Sequence, residues 1–121
     1  MSAPFESIDH IQLAIPAGVE NEARRFYRDL LGMSEMQKPP ELVGRGGVWF
    51  RSDMVFVHIG VDFDFRPARK AHPAFVCSDF AGLVLRLRSQ DVTILDGDPL
   101  EDGRRRCYVA DPFGDRIELI E

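Results

Sequence analysis

Ile8-Asp9-His10-Ile11-Gln12-Leu13-Ala14-Ile15-Pro16 is the stretch from which the rest of the chain is read. Ile8, His10, Gln12 and Ala14 fall on one side of an extended backbone, and Asp9, Ile11, Leu13 and Ile15 on the other. That alternation predicts a strand with one strongly apolar face. Beyond Pro16-Ala17-Gly18 the period changes. Val19, Ala23, Phe26, Tyr27, Leu30 and Leu31 recur at helical spacing, Glu20, Glu22, Arg24, Arg25 and Arg28 occupy the remaining surface, and Gly32 is placed to end the helix.

Short extended pieces follow the Pro39-Pro40 break. Val48-Trp49-Phe50-Arg51 comes after Gly46-Gly47, and Ser52-Asp53 turns the chain into a strand over Met54–Val61. A charged loop closes this half. The second half repeats the plan: a strand over Ala71–Cys77, then a helix that Ser78 can cap, with Phe80, Leu83, Val84 and Leu87 at i, i+3, i+4 and i+7. A short strand over Val92–Leu95, a turn-rich loop and a strand over Arg105–Ala110 come next. Asp111-Pro112-Phe113-Gly114-Asp115 is a strong turn signal before the last strand, Arg116–Glu121.

The order strand-helix-strand-strand-strand thus occurs twice. We read the chain as one domain over residues 1–121, with module one at about 5–61, a loop at 62–70 and module two at 71–121. The fold class expected is α+β: two tandem βαβββ modules forming a cup-shaped mixed sheet with the helices outside. Each sheet has one apolar face for its own helix to cover. The opposite faces can meet by curling into a shared cup, within the chain or with a second chain.

Composition narrows the function. With 121 residues, 45% apolar and 29% charged, the chain can build a core, which excludes intrinsic disorder. A formal charge of −5 lacks the footprint of a general nucleic-acid binder. No run approaches the roughly 18 to 20 apolar residues that span a bilayer, and the N-terminus has no cationic lead into an apolar stretch. Cys77 and Cys107 are too few for a disulfide scaffold and lack metal-finger spacing, so two reduced, buried thiols and a cytoplasmic protein are expected.

The three histidines follow the duplication. His10 and His72, in the first strands of the two halves, lie 62 residues apart; His58 and Glu118, in the last strands, lie 60 apart. By alternation each of the four opposes apolar neighbours, so if those neighbours pack on the helices, all four point into the cup. Imidazoles with a carboxylate suit Zn²⁺, Ni²⁺, Fe²⁺ or Mn²⁺. Around them, Arg66 and Lys70 precede His72 closely enough to hold an anionic substrate group, or else form part of a solvated loop. Arg106 and Tyr108 alternate toward the cup with Cys107 and Val109 turned inward. Trp49 either lines the pocket or packs in the core.

Ile8–Pro16 with Phe26-Tyr27-Arg28-Asp29-Leu30-Leu31-Gly32-Met33 resembles the opening of the vicinal oxygen chelate superfamily, and Asp111–Glu121 resembles its closing signature. That group holds glyoxalases, fosfomycin-resistance transferases, epimerases, extradiol dioxygenases and bleomycin-resistance proteins. The resemblance spans essentially the whole chain and implies paired modules around a divalent metal. By position it implies His10, His72 and Glu118 as ligands. His58 stands where relatives carry glutamate or glutamine, which leaves it open as fourth ligand, general base or substrate contact. Asp115 replaces a more usual asparagine, a detail of the turn.

The expected function is a metal-dependent, glyoxalase-like lyase or isomerase on a small oxygenated, anionic substrate, working as a homodimer without nucleic-acid or membrane partners. Two alternatives are a metal-free ligand-sequestering protein of the bleomycin-resistance type and a thiol transferase of the fosfomycin-resistance type.

Overall fold

A computed structural model describes residues 2–121. Module one runs β1 (Ile11–Ile15), α1 (Glu20–Ala23) continuing into a wider π-helical stretch (Arg24–Leu30), β2 (Ser34–Met36), a 3-10 turn (Pro40–Arg45), β3 (Val48–Ser52) and β4 (Val55–Val61). Module two runs β5 (Ala74–Val76), α2 (Phe80–Ser89), β6 (Ile94–Asp96), β7 (Arg106–Ala110) and β8 (Arg116–Ile120). The result is two four-stranded mixed sheets, ordered β1-β4-β3-β2 and β5-β8-β7-β6. In each, the first and last strands of the module pair in parallel and the others antiparallel.

The alternation in the sequence sets which face is buried. Ile15, Val48, Phe50, Val57 and Ile59 of the first sheet and Cys107, Val109, Ile117 and Leu119 of the second all turn inward. They meet Phe26, Tyr27 and Leu87 from the helical segments in one continuous core shared by both modules. Two polar links also cross between the modules. The Arg86 Nε donates to the Leu30 carbonyl at 2.8 Å, and the Tyr27 hydroxyl donates to Asp111 Oδ2 at 2.6 Å.

Several boundaries differ from the sequence expectation. The first helix is expected to be regular from Val19 to Leu31, yet it widens at Arg24, with the Leu31 N–H reaching back to the Phe26 carbonyl at 2.9 Å. Phe26 and Tyr27, adjacent in sequence, are both buried there. Asp79, not Ser78, caps α2: its carboxylate accepts from the Gly82 N–H at 3.1 Å, and an ionised oxygen is the stronger acceptor. β1 begins at Ile11 and β5 at Ala74, so His10 and His72 both precede their strands. Gly47 enters β3 at φ 82°, where an added Cβ would lie 2.2 Å from the Ile59 carbonyl oxygen.

Candidate metal centre

Strand register places the predicted residues in two equivalent rows. On β4, Val57 and Ile59 are buried, which turns His58 to the opposite face. There it pairs with Trp49 of β3 on one side and Gln12 of β1 on the other. On β8, Glu118 lies between the core residues Ile117 and Leu119 and pairs with Tyr108 of β7 and Ala74 of β5. His10 lies two residues before Gln12, and His72 two before Ala74. Each module therefore carries an aromatic residue beside a central polar residue in one row, with a histidine two residues before the strand position that completes it.

In module two this row is an ion-pair cluster. The His72 Nε2 lies 2.9 Å from Glu118 Oε1. Its Nδ1 lies 2.8 Å from the Lys70 carbonyl, which can only accept, so Nδ1 carries a proton. Nε2 is therefore the ring nitrogen turned to Glu118. Glu118 is 7% exposed, and Arg106 Nη1 sits 3.5 Å from its other oxygen. Arg106 is anchored in turn through Nε to the Asp98 carbonyl at 2.7 Å. The Tyr108 ring meets His72 edge-on at 5.6 Å.

Module one presents a ring stack instead. The His58 ring lies 3.7 Å from that of Trp49, with planes 3° apart, and 4.0 Å from that of His10, with planes 15° apart. Burial holds the His58 imidazole below its ordinary pKa, with His10 adding to the effect and Asp9 opposing it. The His10 Nδ1 bonds Asp9 Oδ2 at 2.8 Å, leaving Nε2 uncommitted.

The donor chemistry fits a divalent transition metal: each of His10 and His72 has its Nδ1 engaged by an oxygen, the outer arrangement that commonly orients metal-binding imidazoles, and Glu118 adds a carboxylate. His10, His72 and Arg66 border one open cavity of about 510 Å³ that runs along β1, with Asp115 also on its wall. Among the described residues, no three His, Cys, Asp or Glu side chains stand close enough together to hold one ion. The structure brings the four expected residues together in two pairs, His10 with His58 and His72 with Glu118. Lys70 meets the site through its carbonyl, while Arg66 is exposed and lies 3.7 Å from Asp64.

Residue-by-residue reading overlooked Asp9, whose contact with His10 was hinted at only by adjacency. It also took Asp115 for a turn detail. Asp115 and Asp111 are 6% and 4% exposed, and they join the buried Tyr27 in one network. Asp111 Oδ1 accepts from the N–H groups of Phe113 and Asp115, both at 2.9 Å. Asp115 Oδ2 is buried without a partner. Burial, reinforced by the neighbouring Asp111, pushes the Asp115 carboxyl up to about 7. Burial also raises Asp111, and it raises the Tyr27 phenol well above its usual value with Asp111 adding to the shift. Cys77 and Cys107 are free thiols; Cys107 is buried as expected, whereas Cys77, next to the short strand β5, is only partly buried.

Residues 7–119 match the model of the Glyoxalase/Bleomycin resistance protein/Dioxygenase superfamily. A glyoxalase family protein from Bacillus anthracis is 44% identical, covers all of this chain and 98% of its own, and superposes with a TM-score of 0.94. A lactoylglutathione lyase from Agrobacterium tumefaciens is 19% identical over 98% of this chain and 96% of its own, with a TM-score of 0.72. A genomically encoded fosfomycin resistance protein from Listeria monocytogenes is 15% identical over 96% and 93%, with a TM-score of 0.75. The last two show a shared fold. None of the curated proteins matches the chain significantly.

Proposed function

The chain belongs to the glyoxalase/bleomycin resistance protein/dioxygenase superfamily, and from that premise we propose that it is a divalent-metal-dependent, glyoxalase-like lyase or isomerase acting on a small oxygenated, anionic substrate. The observation that carries this reading is the prepared state of the donors. The Nδ1 of His10 and the Nδ1 of His72 each have an oxygen partner, and Glu118 is buried beside His72 with Arg106 behind it. A protein that only sequesters a ligand has no need of that arrangement.

The roles follow from chemistry. A bound divalent ion supplies Lewis acidity, drawing substrate oxygens to it and stabilising negative charge that develops on them. His10, His72 and Glu118 would hold it. Arg106 fixes the Glu118 carboxylate. Arg66 stands at the cavity mouth, where a guanidinium fork favours a carboxylate or phosphate on the substrate. Trp49 and Tyr108, at equivalent places in the two rows, offer ring surfaces to the substrate's carbon skeleton.

A homodimer accounts for the two separated pairs. A second copy can set its His72–Glu118 pair against the His10 of the first, and the relation is reciprocal under twofold symmetry. Phe5 and Ile8, largely exposed just before His10, support the same assembly. The free thiols favour a cytoplasmic setting, and no helix among the described residues is long and apolar enough to cross a membrane.

The test is metal content per chain by elemental mass spectrometry on untagged protein purified without chelators. About one equivalent of a transition metal is expected, lost in His10→Ala and Glu118→Ala while circular dichroism stays that of the folded chain. Protein that arrives metal-free and refuses Zn²⁺, Ni²⁺, Mn²⁺ and anaerobic Fe²⁺ overturns the reading in favour of a sequestering protein. Metal retained in both variants overturns the ligand assignment.

A further inference from the structure

The ring stack of module one bears on what His58 does. An imidazole nitrogen offers its lone pair in the plane of the ring. The His10 and His58 rings lie face to face, 4.0 Å between centroids and 15° between planes. An ion at the usual distance of about 2.0–2.1 Å from a nitrogen of each ring would have to sit between the rings. It would then lie about 2 Å off each plane, at right angles to both lone pairs. The lone pairs of the two histidines lie in nearly parallel planes about one ring thickness apart, so they do not meet at one point between the rings. The other face of His58 is closed by Trp49, 3.7 Å away and nearly parallel.

His10, meanwhile, has little else to hold it. It precedes β1 and so lies outside the strand ladder. Its one hydrogen-bond partner is Asp9, its own neighbour, whose side chain is 95% exposed. In module two the equivalent histidine is gripped through both ring nitrogens. The duplicated central position has thus taken two forms: Glu118 meets its histidine through a hydrogen bond, and His58 meets its histidine through a ring face.

The geometry points to His58 as a positioning residue, the middle rung of a Trp49–His58–His10 stack that sets the ring plane of His10, and not as a ligand of the metal. The assignment rests on His10 being a ligand, as proposed above.

Two substitutions separate the roles. His58→Phe keeps a flat ring between Trp49 and His10 but has no donor atom; His58→Gln keeps an oxygen able to ligate but has no ring. The readouts are Zn²⁺ affinity by competition titration, the visible spectrum of the Co²⁺ form, and the ring NMR signals of His10 in metal-free protein, with thermal melts verifying that each variant folds. His58→Phe is expected to stay within about threefold of wild-type affinity, with an unchanged Co²⁺ spectrum. His58→Gln is expected to lose about tenfold or more, the scale on which outer partners of metal ligands act. The His10 signals should remain those of one fixed ring in His58→Phe and average in His58→Gln.

Loss of affinity or a changed Co²⁺ spectrum in His58→Phe overturns the proposal, as does wild-type affinity in both variants. A wild-type chain that binds neither ion overturns the metal reading instead. The NMR comparison still decides the stack in that case: averaged His10 signals in His58→Phe, or fixed ones in His58→Gln, refute it.

Discussion

Asp115→Asn should remove a large part of the chain's sensitivity to alkali, and the size of the effect can be worked from the buried carboxyl pair. Asp111 accepts three hydrogen bonds, from the Tyr27 hydroxyl and two backbone N–H groups. Asp115 keeps an oxygen with no partner. Two buried carboxylates side by side cannot both ionise cheaply, so one proton stays, and it stays on Asp115. The folded value is about 7, against about 3.9 in an unfolded chain. Because the folded pKa is the higher one, the native state holds a proton that the unfolded state has released. The stability from that proton is full below about pH 4 and is lost as pH rises through the folded value.

Between pH 5 and pH 8 the loss comes to roughly 2–3 kcal/mol, on the order of 10 °C in Tm for a domain of this length. Asparagine has the same shape, carries no titrating proton, and can donate its amide to Asp111. The assay is urea or thermal unfolding of wild type and variant at pH 5, 6, 7 and 8 at constant ionic strength. Carboxylates held low by surface partners, such as Asp29 by Arg28 and Glu121 by Arg105, titrate alike in both proteins and cancel in the difference. The gap should widen in the variant's favour as pH rises. Parallel pH curves would refute the shared-proton argument.

Two further substitutions probe the same frame. Tyr27→Phe deletes only the hydroxyl that reaches Asp111 at 2.6 Å; it should cost about 1.5–3 kcal/mol in urea titration, the range for a hydrogen bond to a charged group, without changing the far-ultraviolet spectrum. Gly47→Ala puts a methyl group 2.2 Å from the Ile59 carbonyl oxygen at a backbone φ of 82°. It should lose about 2 kcal/mol or more, seen as a lower Tm, because β3 must move away from β4.

The order of elements was legible because each rests on a local pattern. Ile11, Leu13 and Ile15 announce a strand wherever they occur, and the repeat of that strand-and-helix plan after residue 70 announces the second sheet. The equivalence of His10 with His72 and of His58 with Glu118 was legible for the same reason, since duplicated strands carry duplicated register. Contacts between rows and across modules were not. Nothing local distinguishes Asp115 as a solvated turn residue from Asp115 as a buried acid; Tyr27 and Asp111, 84 residues apart, decide it. The stacking of His58 between Trp49 and His10 likewise depends on three segments meeting, and sequence spacing carries no information about ring planes.

The shared core has a consequence for whatever completes the site. Leu87 of one module and Tyr27 of the other lie in the same packed interior, and the Arg86–Leu30 and Tyr27–Asp111 bonds fasten the two halves at separate points. Close-packed interiors are stiff. The halves are therefore held like the jaws of a caliper, with His10 and His58 on one and His72 and Glu118 on the other. In the proposed homodimer a second copy would have to match that span as it stands, and a substitution deep in the core would spoil the match without touching His10, His72 or Glu118.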